Sequence, residues 1–169
     1  MPDTFIKIAS VTVGSGGAAT ISFSSIPSTY TDLCLKLSSR ANATGGPTWH
    51  DVNVTLNGSG TYSTRNLYGD GSTAGSFNDT TITVRIVSNT ATSNTFGSAE
   101  LYIPNYAGSN QKSASSDMVS ENNGTQAYAG IAAQLFTSTA AITSITLTPT
   151  GSFNFMQYST ATLYGIKNS

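Results

Sequence analysis

Residues 33–38 read LCLKLS, so that three leucines alternate with a cysteine, a lysine and a serine. Successive side chains of a β-strand point to opposite faces, and this period of two predicts a strand that buries its leucines. An amphipathic helix would instead repeat its apolar residues every three or four positions. The stretch therefore predicts a half-buried strand of an antiparallel sheet.

The same alternation recurs from one end of the chain to the other. It is clear in residues 51–57, 81–86 and 99–103, and weaker in residues 4–13, 18–24, 112–120, 128–136, 142–148 and 158–166. Clusters of Gly, Asn, Asp and Pro separate these runs, as expected for turns. We therefore predict an all-β fold, an antiparallel β-sandwich of jelly-roll type with eight to ten strands, forming a single domain over residues 1–169.

Two segments carry more specific expectations. The apolar parity of the first run changes from Ile6 and Ile8 to Val11 and Val13, which predicts a β-bulge near Ala9. Residues 41–78 hold one good strand and much apparent loop, and long loops often carry function. This segment is the expected contact surface.

Charge is the unusual feature of the composition. Only 9% of the 169 residues are charged, against about 25% in typical soluble proteins, and the net charge is −1. Seven Lys and Arg residues cannot form the basic stripe that nucleic acid requires, and no run reaches the roughly 18 apolar residues of a membrane span. Surfaces near zero net charge associate readily, so we expect a homo-oligomer.

Residues suited to catalysis or metal binding are sparse. One histidine, His50, and one cysteine, Cys34, leave no zinc site and no internal disulfide, and no nucleophile motif accompanies His50. One Gly-rich stretch contains possible calcium ligands, but Asx turns are the simpler explanation of them: Asn66, Asp70, Asn78 and Asp79. We expect no enzyme activity, no cofactor and no metal.

Aromatic residues are the better candidates for a binding role. Tyr, Trp and Arg are enriched at interfaces, where large and rigid side chains bind with little loss of conformational entropy. The expected contact residues are Trp49, Tyr62, Arg65, Tyr68 and Tyr106. Such side chains suit contact with a protein neighbour and stacking against sugar rings.

Three segments carry a family resemblance: residues 8–40, residues 100–125, which include YIPNYAGS, and residues 142–167, which include YSTATLYGIK. Together they resemble uncharacterised virion structural proteins of tailed phages that infect aquatic bacteria. The resemblance implies a virion component made in the host cytoplasm, either a capsid decoration (cement) protein or a tail-fibre domain, commonly trimeric. Its partners would be the major capsid protein or other virion proteins.

The expected function is therefore that of a decoration protein that oligomerises and packs on the capsid exterior. The alternative is a tail-fibre or receptor-binding domain that recognises host glycan, with Trp49, Tyr62 and Tyr68 as its contact residues.

Overall fold

The computed structural model describes residues 4–167. The described chain contains twelve strands and no helix, so none that could cross a membrane. The strands are β1 (Phe5–Thr12), β2 (Ile21–Phe23), β3 (Asp32–Ser39), β4 (Trp49–Leu56), β5 (Tyr62–Gly69), β6 (Ala74–Asp79), β7 (Ile82–Val87), β8 (Gly97–Pro104), β9 (Lys112–Val119), β10 (Ala129–Phe136), β11 (Ile145–Pro149) and β12 (Thr160–Ile166).

These strands form two antiparallel sheets of unequal size. The larger has eight strands in the order β1-β12-β3-β8-β9-β10-β5-β6, and the smaller has four in the order β2-β11-β4-β7. The predicted all-β antiparallel sandwich is confirmed, although twelve strands are found where eight to ten were expected. The jelly-roll connectivity stays a prediction.

The core lies between the two sheets and is built by the alternation seen in the sequence. The three leucines of β3 are at most 4% exposed, and Leu101 of β8 beside them is fully buried. Val52 and Val84 face them from the small sheet and are also fully buried. Each such side chain contributes about 2 kcal/mol through burial, so this core can hold the fold without a disulfide.

Residues 41–78 differ from their prediction. Three strands, β4, β5 and β6, occupy most of the segment that was expected to be one strand and a long loop. The reason is that β5 turns polar side chains inward: Thr64 and Asn66 are buried, while Leu67 is exposed. A strand whose buried side chains are polar lacks the alternation of apolar and polar residues by which a sequence reveals an amphipathic strand.

One of the inward polar groups, the Thr64 hydroxyl, has a partner at the free edge of the small sheet. Thr64 Oγ1 donates to the carbonyl oxygen of Thr81, just before β7, at 2.7 Å. The amide of Arg85 on β7 donates to the Met118 sulfur at 3.3 Å. Buried backbone groups at a strand edge need partners, and the large sheet supplies these two.

Two further expectations concern single strands. A register shift between Lys7 and Ala9 interrupts the pairing of β1 with β12, which confirms the bulge predicted near Ala9. The Ala-rich segment before Phe136 is strand β10, as its alternation predicted.

Candidate functional site

Two of the five predicted contact residues belong to the core. Tyr106 is fully buried and its hydroxyl donates to the carbonyl oxygen of Pro27. Tyr62 is 9% exposed, stacks on Phe136 with ring centroids 5.3 Å apart, and accepts a hydrogen bond from the Leu56 amide at 3.0 Å. The prediction of surface contact was wrong for both, because each ring fills space between the sheets and each hydroxyl is used internally.

Trp49 and Tyr68 help to enclose an arginine. Four rings lie around the guanidinium of Arg85, at 4.4 to 5.9 Å from its Cζ atom: Trp49, Tyr68, Phe77 and Tyr128. The Arg85 side chain is 16% exposed, and its Nε donates to Asp51 Oδ1 at 2.7 Å. Burial raises the pKa of Tyr128, although the charge of Arg85 opposes the shift. This arginine cage joins the small sheet to β5, β6 and residue 128 of the large-sheet side.

Replacing Arg85 by methionine is expected to lower the free energy of unfolding by about 2 kcal/mol. The change removes cation–π contacts with four rings and leaves the Asp51 carboxylate without its partner. Urea unfolding followed by Trp49 fluorescence would measure it. Lys7→Met, at an exposed position of β1, is the control and should change little; equal stability of Arg85→Met and Lys7→Met would contradict a structural role for the cage.

Apolar side chains are exposed on the outer face of the large sheet, the face turned away from the small sheet. Leu67 of β5 and Ile131 of β10 lie directly opposite each other and are 58% and 59% exposed. Val119 of β9, beside Ala129 of β10, is 46% exposed. We call Leu67, Val119 and Ile131 the outer patch.

The outer patch forms part of a broad depression. A groove of about 1010 Å³ runs over β8, β9, β10, β5 and β6, and a smaller hollow of about 470 Å³ adjoins it at Leu67, Asp117 and Ile131. Tyr102 and Pro104 line the groove on the β8 side, and Ser76 and Asn78 line it on the β6 side. Its central part is aliphatic, with Ile131 and Leu67 among its lining residues.

The charges on this face are few and unevenly paired. Lys36 Nζ lies 2.6 Å from Glu100 Oε2, and Glu100 sits directly across from Asp117 in the β8–β9 pair. Arg65, the remaining predicted contact residue, is exposed and donates only to the Thr64 carbonyl and the Ser63 hydroxyl. Within residues 4–167, neither Asp117 nor Arg65 has an ion-pair partner.

Two of the residues considered as calcium ligands, Asp70 and Asp79, accept hydrogen bonds from neighbouring backbone amides. Asp70 Oδ1 accepts hydrogen bonds from the amides of Ser72 and Thr73, which lower the pKa of Asp70. Asp79 Oδ1 accepts from the two amides that follow it. No group of three His, Cys, Asp or Glu side chains lies close enough to hold a metal ion in the part of the chain that the structure describes.

The histidine and the cysteine, which could serve in a catalytic centre, likewise lie in separate environments. His50 Nε2 lies 3.1 Å from the Thr150 carbonyl oxygen, and the ring contacts Phe153 edge-on. Burial, followed by the negative charge of Glu100, raises the pKa of the Cys34 thiol to about 11. A thiol held in this protonated form is a poor nucleophile at neutral pH.

The Cys34 thiol predicts a loss of stability in alkali. Its pKa rises from 9.0 in the unfolded chain to about 11 in the folded one, so its contribution is complete below pH 9 and is lost as pH rises through 11. The loss should amount to about 3 kcal/mol. Urea midpoints of the natural chain and of Cys34→Ala across this range would measure it. We expect a flatter dependence for the variant, and parallel curves would contradict the assignment.

Comparisons with known proteins add no relative to this description. A scan against protein-family models and searches of curated proteins and of solved structures found no match to this chain. The functional conclusion therefore depends on the surface itself and on the segments quoted above.

The outer patch was missed by the reasoning from sequence. The alternation of Ile131 with three other apolar residues predicted strand β10 but not which of its faces is exposed. The opposite parity contains Gln134, a polar residue that is nevertheless buried. Leu67, lying between Asn66 and Tyr68 in the supposed loop region, was the available signal.

Proposed function

We propose that the chain is a structural subunit of a tailed-phage virion, a decoration protein that oligomerises and packs on the capsid exterior. The observation that carries this proposal is the outer patch, with three large aliphatic side chains 46% to 59% exposed on one sheet face. Clustered exposure of this kind is typical of protein interaction surfaces. The resemblance to virion structural proteins is the reason for proposing that this surface makes its contacts in a virion.

The low charge of the chain supports the same proposal. With 9% charged residues and a net charge of −1, little electrostatic repulsion opposes contact between neighbours. A subunit in a symmetric shell is held by shape, apolar contact and hydrogen bonding, and a polar uncharged surface suits all three.

A protein neighbour fits the groove better than a glycan does. Sugar rings stack on exposed aromatic faces, whereas the large exposed apolar side chains of this groove are Leu67 and Ile131, and its two rings, Phe77 and Tyr102, are partly buried. The rings once assigned to glycan contact are used elsewhere: Tyr62 is in the core, and Trp49 and Tyr68 surround Arg85. Of the three rings, Trp49 and Tyr68 are partly buried, so they offer a glycan less surface than the sequence suggested.

Mass spectrometry of purified, nuclease-treated particles of the phage that encodes the chain would test the proposal. We expect the chain in the particle at high copy number, and we expect particles made without it to retain their tails. Absence of the chain from the particle would overturn the virion assignment, and its presence in detached tails alone would overturn the capsid location.

A further inference from the structure

We propose that two copies of the chain pack face to face across the outer patch, related by a two-fold axis, with Arg65 of each copy paired to Asp117 of the partner subunit. This inference rests on the outer patch being an assembly surface and adds the partner, a second copy of this chain, and the geometry. The juxtaposition that carries it is a cation next to Leu67 and an anion next to Ile131, neither of which has an ion-pair partner among the described residues.

The strand register defines where these residues lie. Ile131 of β10 stands between Asp117 of β9 and Leu67 of β5, in one row across three strands. Ala133 stands in the next row on the same face, directly opposite Arg65. Arg65 and Asp117 are thus two strands and one row apart, diagonally across the Leu67–Ile131 pair.

The electrostatic state of the two residues calls for partners. Asp117 is directly across from Glu100, and like charges in that position destabilise a strand pair. Lys36 forms its ion pair with Glu100, and Asp117 has none among the described residues, although the charge of Lys36 acts on Asp117 at longer range. Arg65 is equally unpaired and exposed on the other side of the outer patch.

The proposed two-fold axis lies in the plane of the face, perpendicular to the line from Arg65 to Asp117. This axis gives both charged residues a partner of opposite charge. It brings Arg65 over Asp117 of the partner subunit and, by symmetry, makes the same contact a second time. The same rotation brings Leu67 over Ile131 of the partner subunit, because that pair flanks the axis. One rotation therefore matches charge to opposite charge and apolar side chain to apolar side chain.

The size of the face suits such packing. Five strands of this length give a face of roughly 600 Å², from the spacing of strands and residues. The pair would bury roughly 1,200 Å², near the lower limit of stable specific interfaces, so we expect a weak dimer.

Charge reversal and its restoration test the inference on the full chain. Arg65→Glu, Asp117→Lys and the double variant would be compared with the natural chain by sedimentation equilibrium. Each single reversal should weaken association about tenfold or more, because it places like charges together twice. The double variant should return to near the natural affinity, since each reversed charge again meets its opposite.

Rescue by the double variant is diagnostic because Arg65 and Asp117 form no ion pair within one chain. Lys7→Glu, a reversal at an exposed position of the distant edge strand β1, is the control and should not change association. A monomeric natural chain at about 200 µM, single reversals without effect, or a double variant as weak as the singles would each overturn the inference.

The inference and the proposed function fail separately. A natural chain that forms trimers through other surfaces would contradict the two-fold contact and leave the virion assignment intact. A two-fold dimer that is absent from phage particles would support the contact and overturn the virion assignment.

Discussion

Replacing Leu67 and Ile131 together by aspartate should leave a folded monomer at concentrations at which the natural chain self-associates. Both side chains are more than half exposed in the single chain, so their loss should cost the fold little. In the assembly they would be buried, and two carboxylates without cations would then lose their hydration. We expect association to weaken by about 100-fold or more, the effect typical of residues at the centre of an interface.

Light scattering after size-exclusion chromatography would measure this change, and circular dichroism would check the fold. Thr20→Asp with Ser22→Asp is the matched control, because both positions are exposed and belong to the small-sheet side of the molecule. It adds the same charge away from the outer patch and should leave association unchanged. Equal association of the two double variants would exclude the outer patch as the contact.

Replacing Arg40 by methionine should produce the largest loss of stability, about 3 kcal/mol. Arg40 is 4% exposed and has no carboxylate partner in the described chain. Its guanidinium instead donates to the carbonyl oxygens of Ala91, Thr92 and Thr95, at 2.8 to 3.1 Å. Methionine fills a similar volume but removes the guanidinium donor from all three carbonyl groups, of which that of Thr92 still accepts from the Thr95 hydroxyl.

The Arg40→Met variant should also lose structure locally, before the whole domain unfolds. The Arg40 bonds hold the connection between β7 and β8, so hydrogen exchange should quicken first in residues 88–96. Arg40→Lys keeps the charge but offers fewer fixed donors, and we expect it to be intermediate in urea unfolding. A methionine variant within about 0.5 kcal/mol of the natural chain would show that the connection does not need the guanidinium.

Strands with one apolar face could be predicted from the sequence because their side-chain period reports burial directly. β3, β7 and β8 bury their apolar residues against the opposite sheet, as the alternation in residues 33–38, 81–86 and 99–103 predicted. The bulge in β1 was predictable for the same reason, since an extra residue reverses the parity.

The turn at Asn57-Gly58 shows what a local signal leaves open. Both residues have positive φ, 54° and 76°, as a tight turn of this sequence predicts. However, the strands on either side, β4 and β5, belong to different sheets. Across this corner, the Asn57 side chain donates to the Ala141 carbonyl oxygen and accepts from the Thr143 amide. The two turn residues alone do not predict contacts with residues so distant in sequence.

The candidate surface could not be predicted because a period of two shows which side chains share a face, not which face is buried. On β10 the apolar parity, with Ile131, points outward, and the parity with Gln134 points inward. The buried Gln134 donates from Nε2 to the hydroxyl of Ser116 on the neighbouring strand β9, and such a contact between strands cannot be read from β10 alone. Arg85 and its four rings come from five different segments for the same reason.

An image of the intact particle at subnanometre resolution tests the central claim most directly. It should show the two-sheet domain on the outside of the shell, with the face formed by β9, β10 and β5 buried against another subunit. A domain whose Leu67 and Ile131 face open solvent, or a shell without it, would contradict the account.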